Sequence, residues 1–353
     1  METNHQKLKI LIISDAWHPQ INGVVRTYEH LKEELPKLGH TVKIIGPADF
    51  PRTLPTPGYP EIKLAITPYK RLKSIIEEYA PDRIHLATEG PLGWAGRKYC
   101  FKNGREVSTS FHTLFPDYVA KRVSKYLPFI HKPIHALGVS IVRRFHEKSI
   151  VMMVATQSLE DTLREWGFTA PIFRLTRGVR LNIFKTGEKT KFTDMKDPIA
   201  IYVGRVAIEK NIEAFLEMEW DGEKVIIGDG PARVELEQKY PDAHFLGVKT
   251  GEELAEYYRS ADVFVFPSKT DTFGMVLIEA LASGIPVAGY NVTGPKDIII
   301  EEYLGAIDDN LSNAAKKALK SGTPEQRAKH VQENYTWATA AKQFEHALIA
   351  NVK

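Results

Sequence analysis

Short apolar runs recur along the chain, each followed by a polar turn and then by residues at helical spacing. Residues 8–14 form the first run, a polar loop spans 15–22, and apolar positions over 24–38 predict a helix stopped by Gly39. Residues 41–45 read as the next strand. Strand, helix, strand in that order predicts a parallel sheet. Residues 51–60 hold four prolines and a glycine and predict an irregular connection. Further strands are expected at 83–87, 106–110 and 150–156, with a helix over 158–166 ahead of Gly167. A second series begins with a strand at 199–204 and a helix from about Asn211, then strands at 224–227, 244–246, 263–266 and 286–290. Between the two series, Pro171, Gly178, Gly187 and Pro198 interrupt the periodicity. The expected fold class is α/β: two doubly wound, Rossmann-like domains, 1–172 and 173–325, facing across a cleft. In the tail, Trp337, Ala341, Phe344 and Leu348 recur at helical spacing, so residues 325–352 predict one more helix packed on a core.

Composition narrows the class. A chain of 353 residues, 43% hydrophobic and 26% charged, is long enough for two cores and ordinary for a soluble globular protein. The single cysteine, Cys100, excludes an internal disulfide framework and fits a reducing compartment. The first seven residues are polar, so no signal peptide is visible, and no apolar run reaches the roughly 18 residues that a span requires. The expectation is a cytoplasmic protein whose membrane contact, if any, is peripheral on the inner face of the cytoplasmic membrane. Net charge is uneven: residues 1–172 carry 24 Lys+Arg against 17 Asp+Glu, and residues 173–353 carry 23 against 27. The basic half also holds nine of the twelve histidines. Either this is chance, or that half faces something anionic.

Candidate chemistry gathers where strands end. Asp271 and Glu279 stand eight residues apart where a strand gives way to an apolar helix. One acid is expected at the helix mouth and the other two turns inside. The free N–H groups of a helix start attract anions, and carboxylates accept hydrogen bonds from sugar hydroxyls. Arg205 and Lys210 follow another strand and can neutralise a diphosphate without a metal; alone, such a pair is more often a solvated surface pair, and the Asp271–Glu279 segment reverses that reading. Asn22-Gly23-Val24 opens the first helix, where a glycine lets phosphate approach the backbone. His112 ends a strand and is read either as a ligand to a sugar or phosphate oxygen or as a satisfied structural histidine. Glu89 either binds an acceptor hydroxyl or caps the helix that follows it. Asp308-Asp309 read as solvated, and Gly228-Asp229-Gly230-Pro231 is not a dinucleotide fingerprint. No Gly-Lys-Ser/Thr phosphate loop and no metal-ligand spacing is present, so neither metal nor cofactor is expected.

Residues 119–148 carry Lys121, Arg122, Lys125, Lys132, Arg143, Arg144 and Lys148 against one acid, Glu147, with Leu127, Phe129, Ile134, Leu137, Ile141 and Phe145 interleaved. That mixture suits a segment lying on an anionic bilayer. The alternatives are a packed helix with a solvated face or a nucleic-acid patch. No nucleic-acid module appears elsewhere, and no nucleic-acid partner is expected.

The stretch from Asp271 through Thr272-Phe273-Gly274-Met275-Val276 to Glu279 resembles the signature of family 4 retaining glycosyltransferases of the GT-B fold, with aspartate in place of the first of two glutamates. Gly204-Arg205, Lys210-Asn211, Asn22-Gly23-Val24, Gly228-Asp229-Gly230-Pro231 and Phe245-Leu246-Gly247-Val248 match in order, so the resemblance covers nearly the whole chain. It implies transfer with retention and without a metal. It implies that Arg205 and Lys210 hold the donor diphosphate, that Glu279 takes the ribose hydroxyls, and that Val248 flanks the base. Asp271, with the backbone of Phe273, Gly274, Met275 and Val276, would hold the donor sugar and distal phosphate. Gly23 would let the N-terminal domain close on the phosphates, and His112 would point at the sugar. The family's C-terminal helix, here 326–353, crosses back to the first domain. The loop Asn22-Gly23 departs from the commoner Gly-Gly, and Arg180 stands where many members carry Asp.

Within the family, Trp17-His18-Pro19, Thr88-Glu89-Gly90-Pro91 and Ser110-Phe111-His112-Thr113 resemble bacterial glycolipid synthases, which glycosylate diacylglycerol from a UDP-sugar, and equally GDP-mannose-dependent α-mannosyltransferases. The leading expectation is transfer of a hexose or hexuronic acid from a UDP-sugar to diacylglycerol. The expected partners are the nucleotide-sugar donor, a lipid acceptor and an anionic membrane surface met by Glu89, Lys121, Arg122, Lys125, Arg143 and Arg144. The protein is expected to act as a monomer or weak homo-oligomer. The alternatives are a GDP-mannose-dependent α-mannosyltransferase acting on a mannose-bearing lipid or polysaccharide, a nucleotide-sugar epimerase on the same fold, and a non-catalytic nucleotide-sugar sensor.

Overall fold

The computed structural model describes residues 7–20, 22–56, 59–124 and 130–350. The chain divides into two compact units, one of Met1–Thr176 with Ala340–Lys353, the other of Arg177–Thr339.

The first unit runs β1 (Lys9–Ile13), α1 (Gly23–Glu34), β2 (Thr41–Ile45), β3 (Thr53–Thr56), β4 (Tyr59–Ala65), α2 (Tyr69–Tyr79), β5 (Arg83–Leu86), α3 (Pro91–Lys102), β6 (Ser108–Phe111), α4 (Phe115–Ser124), α5 (His131–His146), β7 (Val151–Val154), α6 (Gln157–Glu165) and β8 (Ile172–Arg174). Six strands form one parallel sheet in the order β2-β1-β5-β6-β7-β8. β1 is apolar on both faces because helices cover both. Leu11 and Ile13 pack with Leu72 and Ile76 of α2 and Leu92 and Tyr99 of α3, while Ile10 and Ile12 are fully buried on the opposite face. The order reverses between β1 and β5, which makes their carboxyl ends a switch point where ligands bind in such sheets.

The second unit runs β9 (Ala200–Val203), α7 (Ile212–Glu217), β10 (Lys224–Ile227), α8 (Arg233–Lys239), β11 (His244–Phe245), α9 (Gly251–Ser260), β12 (Val263–Phe266), α10 (Met275–Ala282), β13 (Val287–Gly289), α11 (Pro295–Ile298), β14 (Gly305–Ile307), α12 (Leu311–Ala318), α13 (Pro324–Asn334) and α14 (Trp337–Ile349), whose last residues belong to the first unit. Its six parallel strands are ordered β11-β10-β9-β12-β13-β14, with the reversal between β9 and β12.

Several elements depart from expectation. The proline-rich connection at 51–60 contains most of an antiparallel ribbon, β3 with β4; each strand has an open edge, so Pro55 breaks no sheet. The fourth strand expected in the first series is Ser108–Phe111 rather than 106–110, because Ser108 lies opposite both His85 and Val151. The segment 171–198, where Pro171, Gly178, Gly187 and Pro198 interrupt the periodicity, begins with a strand, β8, paired to β7. Asp308-Asp309 follow a strand, β14, and Asp308 accepts a hydrogen bond from Lys317. The tail is two helices: Tyr335 leaves helical geometry, and the Thr336 hydroxyl accepts the Thr339 amide to start α14.

The first unit's switch point is closed by one carboxylate. Asp15, just beyond β1, accepts hydrogen bonds from the amides of Leu92 at 2.9 Å and Gly93 at 3.2 Å and from the Thr88 hydroxyl at 3.1 Å. It thereby caps α3, whose own first-turn neighbour Gly90 offers no side chain. A Cβ on Gly90 would lie 2.3 Å from the Asp15 carboxyl carbon, so the close approach requires glycine. Burial dominates the acid's titration and raises its pKa from 3.8 to about 6, against the lowering effect of the three donors. The folded state thus holds a proton that the unfolded chain releases near pH 4. The stabilisation is complete below that pH and is lost as pH rises through about 6, a difference of about 3 kcal/mol. Asp15→Asn keeps the acceptor for Leu92 and removes the titration. Its urea midpoint should change less between pH 4.5 and 7 than that of the unaltered protein; equal slopes would contradict this account.

Candidate active site

In the second unit, the two loops flanking the β9/β12 reversal carry the chemistry. β9 ends at Gly204, which has φ 152°. A Cβ on Gly228, at the end of β10, would stand 1.8 Å from the Gly204 carbonyl oxygen, so the two strand-end loops touch through glycine. Arg205 follows half-exposed, its guanidinium 3.5 Å from Glu209. A short turn at Ile208–Lys210 then sets Lys210, and Asn211 in the left-handed region (φ 54°) redirects the chain into α7. Asn211 donates to the Pro267 carbonyl at 3.0 Å, which ties this loop to the one after β12.

From that second loop Asp271 receives the Lys210 ammonium on Oδ1 at 2.6 Å. Its other oxygen, Oδ2, is buried and accepts no hydrogen bond from the protein. A buried carboxylate oxygen without a donor is costly, and a ligand hydroxyl supplies the missing bond. Asp271 does not sit at the helix mouth as expected. Thr272, Phe273 and Gly274 intervene, and α10 begins at Met275 with no acid in its first turn. Gly274 makes the sharp entry with φ 83°. Phe273 is buried with its ring against Tyr335, so only its backbone is open to a ligand role. The first amides of α10, from Met275 and Val276, form the helix's positive end. Glu279 lies in the second turn, 7% exposed, and accepts from the Tyr258 hydroxyl at 3.4 Å. Val248, after Gly247 (φ 71°), is 64% exposed and presents an apolar surface.

In the first unit, Gly23 opens α1. A Cβ there would meet nothing within 4 Å, and its φ is not left-handed, so neither strain nor packing requires glycine. Asn22 Oδ1 accepts from the Val24 and Val25 amides at 3.0 Å each and caps the helix. His112 directly follows β6, with Nε2 3.1 Å from the Tyr28 hydroxyl. Glu89 does not cap α3, which Asp15 does; its Oε1 lies 3.1 Å from Nε2 of fully buried His146.

The basic segment forms α4 and α5. Lys132, Arg143, Arg144 and Lys148 are exposed, and so are Leu137 (62%) and Ile141 (48%) on α5 and Phe115 (59%) on α4. Lys121 and Arg122 lie on α4, but their side chains, like the whole of Lys125, fall outside the described residues. Among the described residues, no group of three or more His, Cys, Asp or Glu could hold a metal, and no helix is long and apolar enough to cross a membrane. Tyr28 takes part in these arrangements without any signal in the sequence beyond an ordinary core position, and the sequence marks Asn211 as a helix start and a member of the Lys210-Asn211 match, not as the tie between the two loops.

Residues 21–182 match the family described as Glycosyltransferase Family 4, and residues 185–337 match Glycosyl transferases group 1. A GDP-mannose-dependent alpha-mannosyltransferase of Corynebacterium glutamicum is 31% identical over 326 residues, which cover 86% of this chain and 77% of that protein. An alpha-monoglucosyldiacylglycerol synthase of Streptococcus pneumoniae is 25% identical over 376 residues, 96% of this chain and 83% of that one. Among solved structures, a sucrose-phosphate synthase from Thermosynechococcus elongatus superposes with a TM-score of 0.74 at 21% identity, over 95% of this chain and 97% of the other, a likeness of fold. With two Rossmann-like sheets, both family models matched and a mannosyltransferase relative at 31% identity, the chain belongs to the family 4 glycosyltransferases of the GT-B fold.

Proposed function

We propose that this enzyme moves a hexosyl or hexuronosyl group from a UDP-sugar to diacylglycerol at an anionic membrane surface. The observation that carries the acceptor reading is the exposed face of α4 and α5, where Phe115, Leu137 and Ile141 stand among Lys132, Arg143, Arg144 and Lys148. Each cation near such a surface contributes about 1 kcal/mol, and each buried apolar side chain about 1.5–3 kcal/mol. That sum supports reversible, salt-sensitive docking rather than permanent anchoring. The likeness to a monoglucosyldiacylglycerol synthase supports the same acceptor.

Chemistry follows from the second unit's loops. Arg205 and Lys210 lie where a diphosphate would gather negative charge as its bond to the sugar C1 breaks. The amides of Met275 and Val276 add the helix's positive end. Asp271 Oδ2 accepts a sugar hydroxyl, and Glu279 accepts the ribose hydroxyls. The family resemblance assigns His112 a contact with the donor sugar, and we assign Glu89 one with the acceptor. The acceptor oxygen forms the new bond to C1, and the departing phosphate oxygen takes its proton. No metal enters this scheme. The second reading, mannosyl transfer from GDP-mannose, is favoured by the 31% identity to a mannosyltransferase.

Diacylglycerol vesicles containing anionic lipid, incubated with labelled UDP-glucose, UDP-galactose, UDP-glucuronate or GDP-mannose, decide between them. Labelled lipid is expected with a UDP-sugar; label from GDP-mannose alone would establish the second reading. Leu137→Ser with Ile141→Ser should reduce co-sedimentation with those vesicles several-fold, and unchanged binding would remove the membrane face from the account. Lys210→Ala should lower kcat about 10²–10³-fold while vesicle binding stays the same. Gly23→Ala tests close ligand approach. Its thermal midpoint should hold or rise, since alanine favours helix by up to about 1 kcal/mol. Its donor kcat/KM should nevertheless fall at least about tenfold, and full activity would show that the glycine serves no ligand.

A further inference from the structure

Tyr28 lies inside α1, fully buried, and its hydroxyl stands between two imidazoles. His85 Nε2 is 2.9 Å away and His112 Nε2 is 3.1 Å away. A phenol carries one proton, so it donates to one of these nitrogens and accepts from the other. The direction is set deeper in the sheet. His85, on β5, has no exposure, and its Nδ1 lies 2.9 Å from Ser108 Oγ on β6. Burial, with His146 nearby, pushes the His85 pKa down to about 3, so the ring is neutral and holds a single N–H. The Ser108 hydroxyl is directed at the Ile84 carbonyl, 3.4 Å away, so its oxygen accepts the Nδ1–H of His85. His85 Nε2 therefore bears the lone pair. It takes the Tyr28 proton, with the Ser110 hydroxyl sharing that acceptor at 3.0 Å. The phenol oxygen then accepts the Nε2–H of His112.

We infer that Tyr28 and His85 are positioning residues for His112: the chain Ser108–His85–Tyr28–His112 holds the ring's orientation and its Nε2–H tautomer, with the lone pair at Nδ1. This rests on the reading of His112 as a residue that meets the donor sugar. The arrangement has a mechanical consequence. α1 begins at Gly23 and holds Tyr28 just over one turn later, so any shift of the helix start is passed to His112. The His85 ring is itself held by the edge of Phe344 from α14, 4.9 Å between centroids. A misplaced catalytic contact can cost about 10²-fold in rate without changing the fold, which makes such support measurable.

The wild-type protein gives the first readout. Side-chain 15N spectra of the histidines should show His85 as Nδ1–H and His112 as Nε2–H; the opposite pair would overturn the proton order. Tyr28→Phe keeps the ring and removes the link. It should shift the His112 nitrogens toward a mixture of tautomers and lower kcat about 10–100-fold, with the donor KM within about threefold. In a His112→Ala background, the same change should alter kcat by less than about twofold, because its effect runs through His112. Additive losses would mark Tyr28 as merely structural. A fully active His112→Ala would overturn the reading of His112 itself. An inactive His112→Ala beside a fully active Tyr28→Phe would overturn the positioning alone.

Discussion

The approach of two loops at one reversal of strand order governs the second unit. β9 and β12 are adjacent although three helices and two strands separate them in sequence, and only at such a place can a cation from one loop reach an acid from the other. The 2.6 Å pairing of Lys210 with Asp271 is the result. It holds a lysine that would otherwise be solvated and leaves the second carboxylate oxygen buried without a donor. Such a pair is of little account as a source of stability, because both side chains are about a quarter exposed and water screens them. Its value is geometric: it sets a positive charge and an unmet acceptor side by side.

The strands of this fold were largely legible because parallel strands covered on both faces are continuous apolar runs. Residues 263–266 are read the same way from sequence and in the structure. Short strands were not legible. β14 contains a glycine and spans three residues, and β8 also spans three, below what periodicity resolves. The helix boundary at α10 was misplaced for a local reason. Gly274 in the left-handed region lets the chain turn after Asp271, and nothing in the polar run before it marks where the turn falls. The paired acids were legible as a motif with separate implied roles, but not the three residues that separate Asp271 from the start of the helix.

The first unit shows the opposite limit. Val25, Tyr28 and Leu31 are spaced as an ordinary core stripe, and His85 sits between Ile84 and Leu86 in a four-residue strand whose pattern names no partner for it. Their hydrogen bond spans 57 positions, so no local pattern announces it. Asp15 was hidden in the same way, since its partners at Thr88, Leu92 and Gly93 come from the far side of the switch point. Side chains that close long loops become visible only when the sheet order is known.

Charge distribution gives the two units different surroundings. The excess of cations lies in residues 1–172, and part of it is displayed on α5 beside exposed leucine and isoleucine. Residues 173–353 are net acidic even with Arg205 and Lys210 counted, so an anionic surface that attracted α5 would not attract that half by its net charge. On the proposed reading, an enzyme with a water-soluble donor and a lipid acceptor would gain from this division. The exposed face of α5 would bind an anionic surface weakly and reversibly, and the loops after β9 and β12 would carry no further attraction to it. A uniformly basic chain would add a second attraction to the same surface and slow release from it.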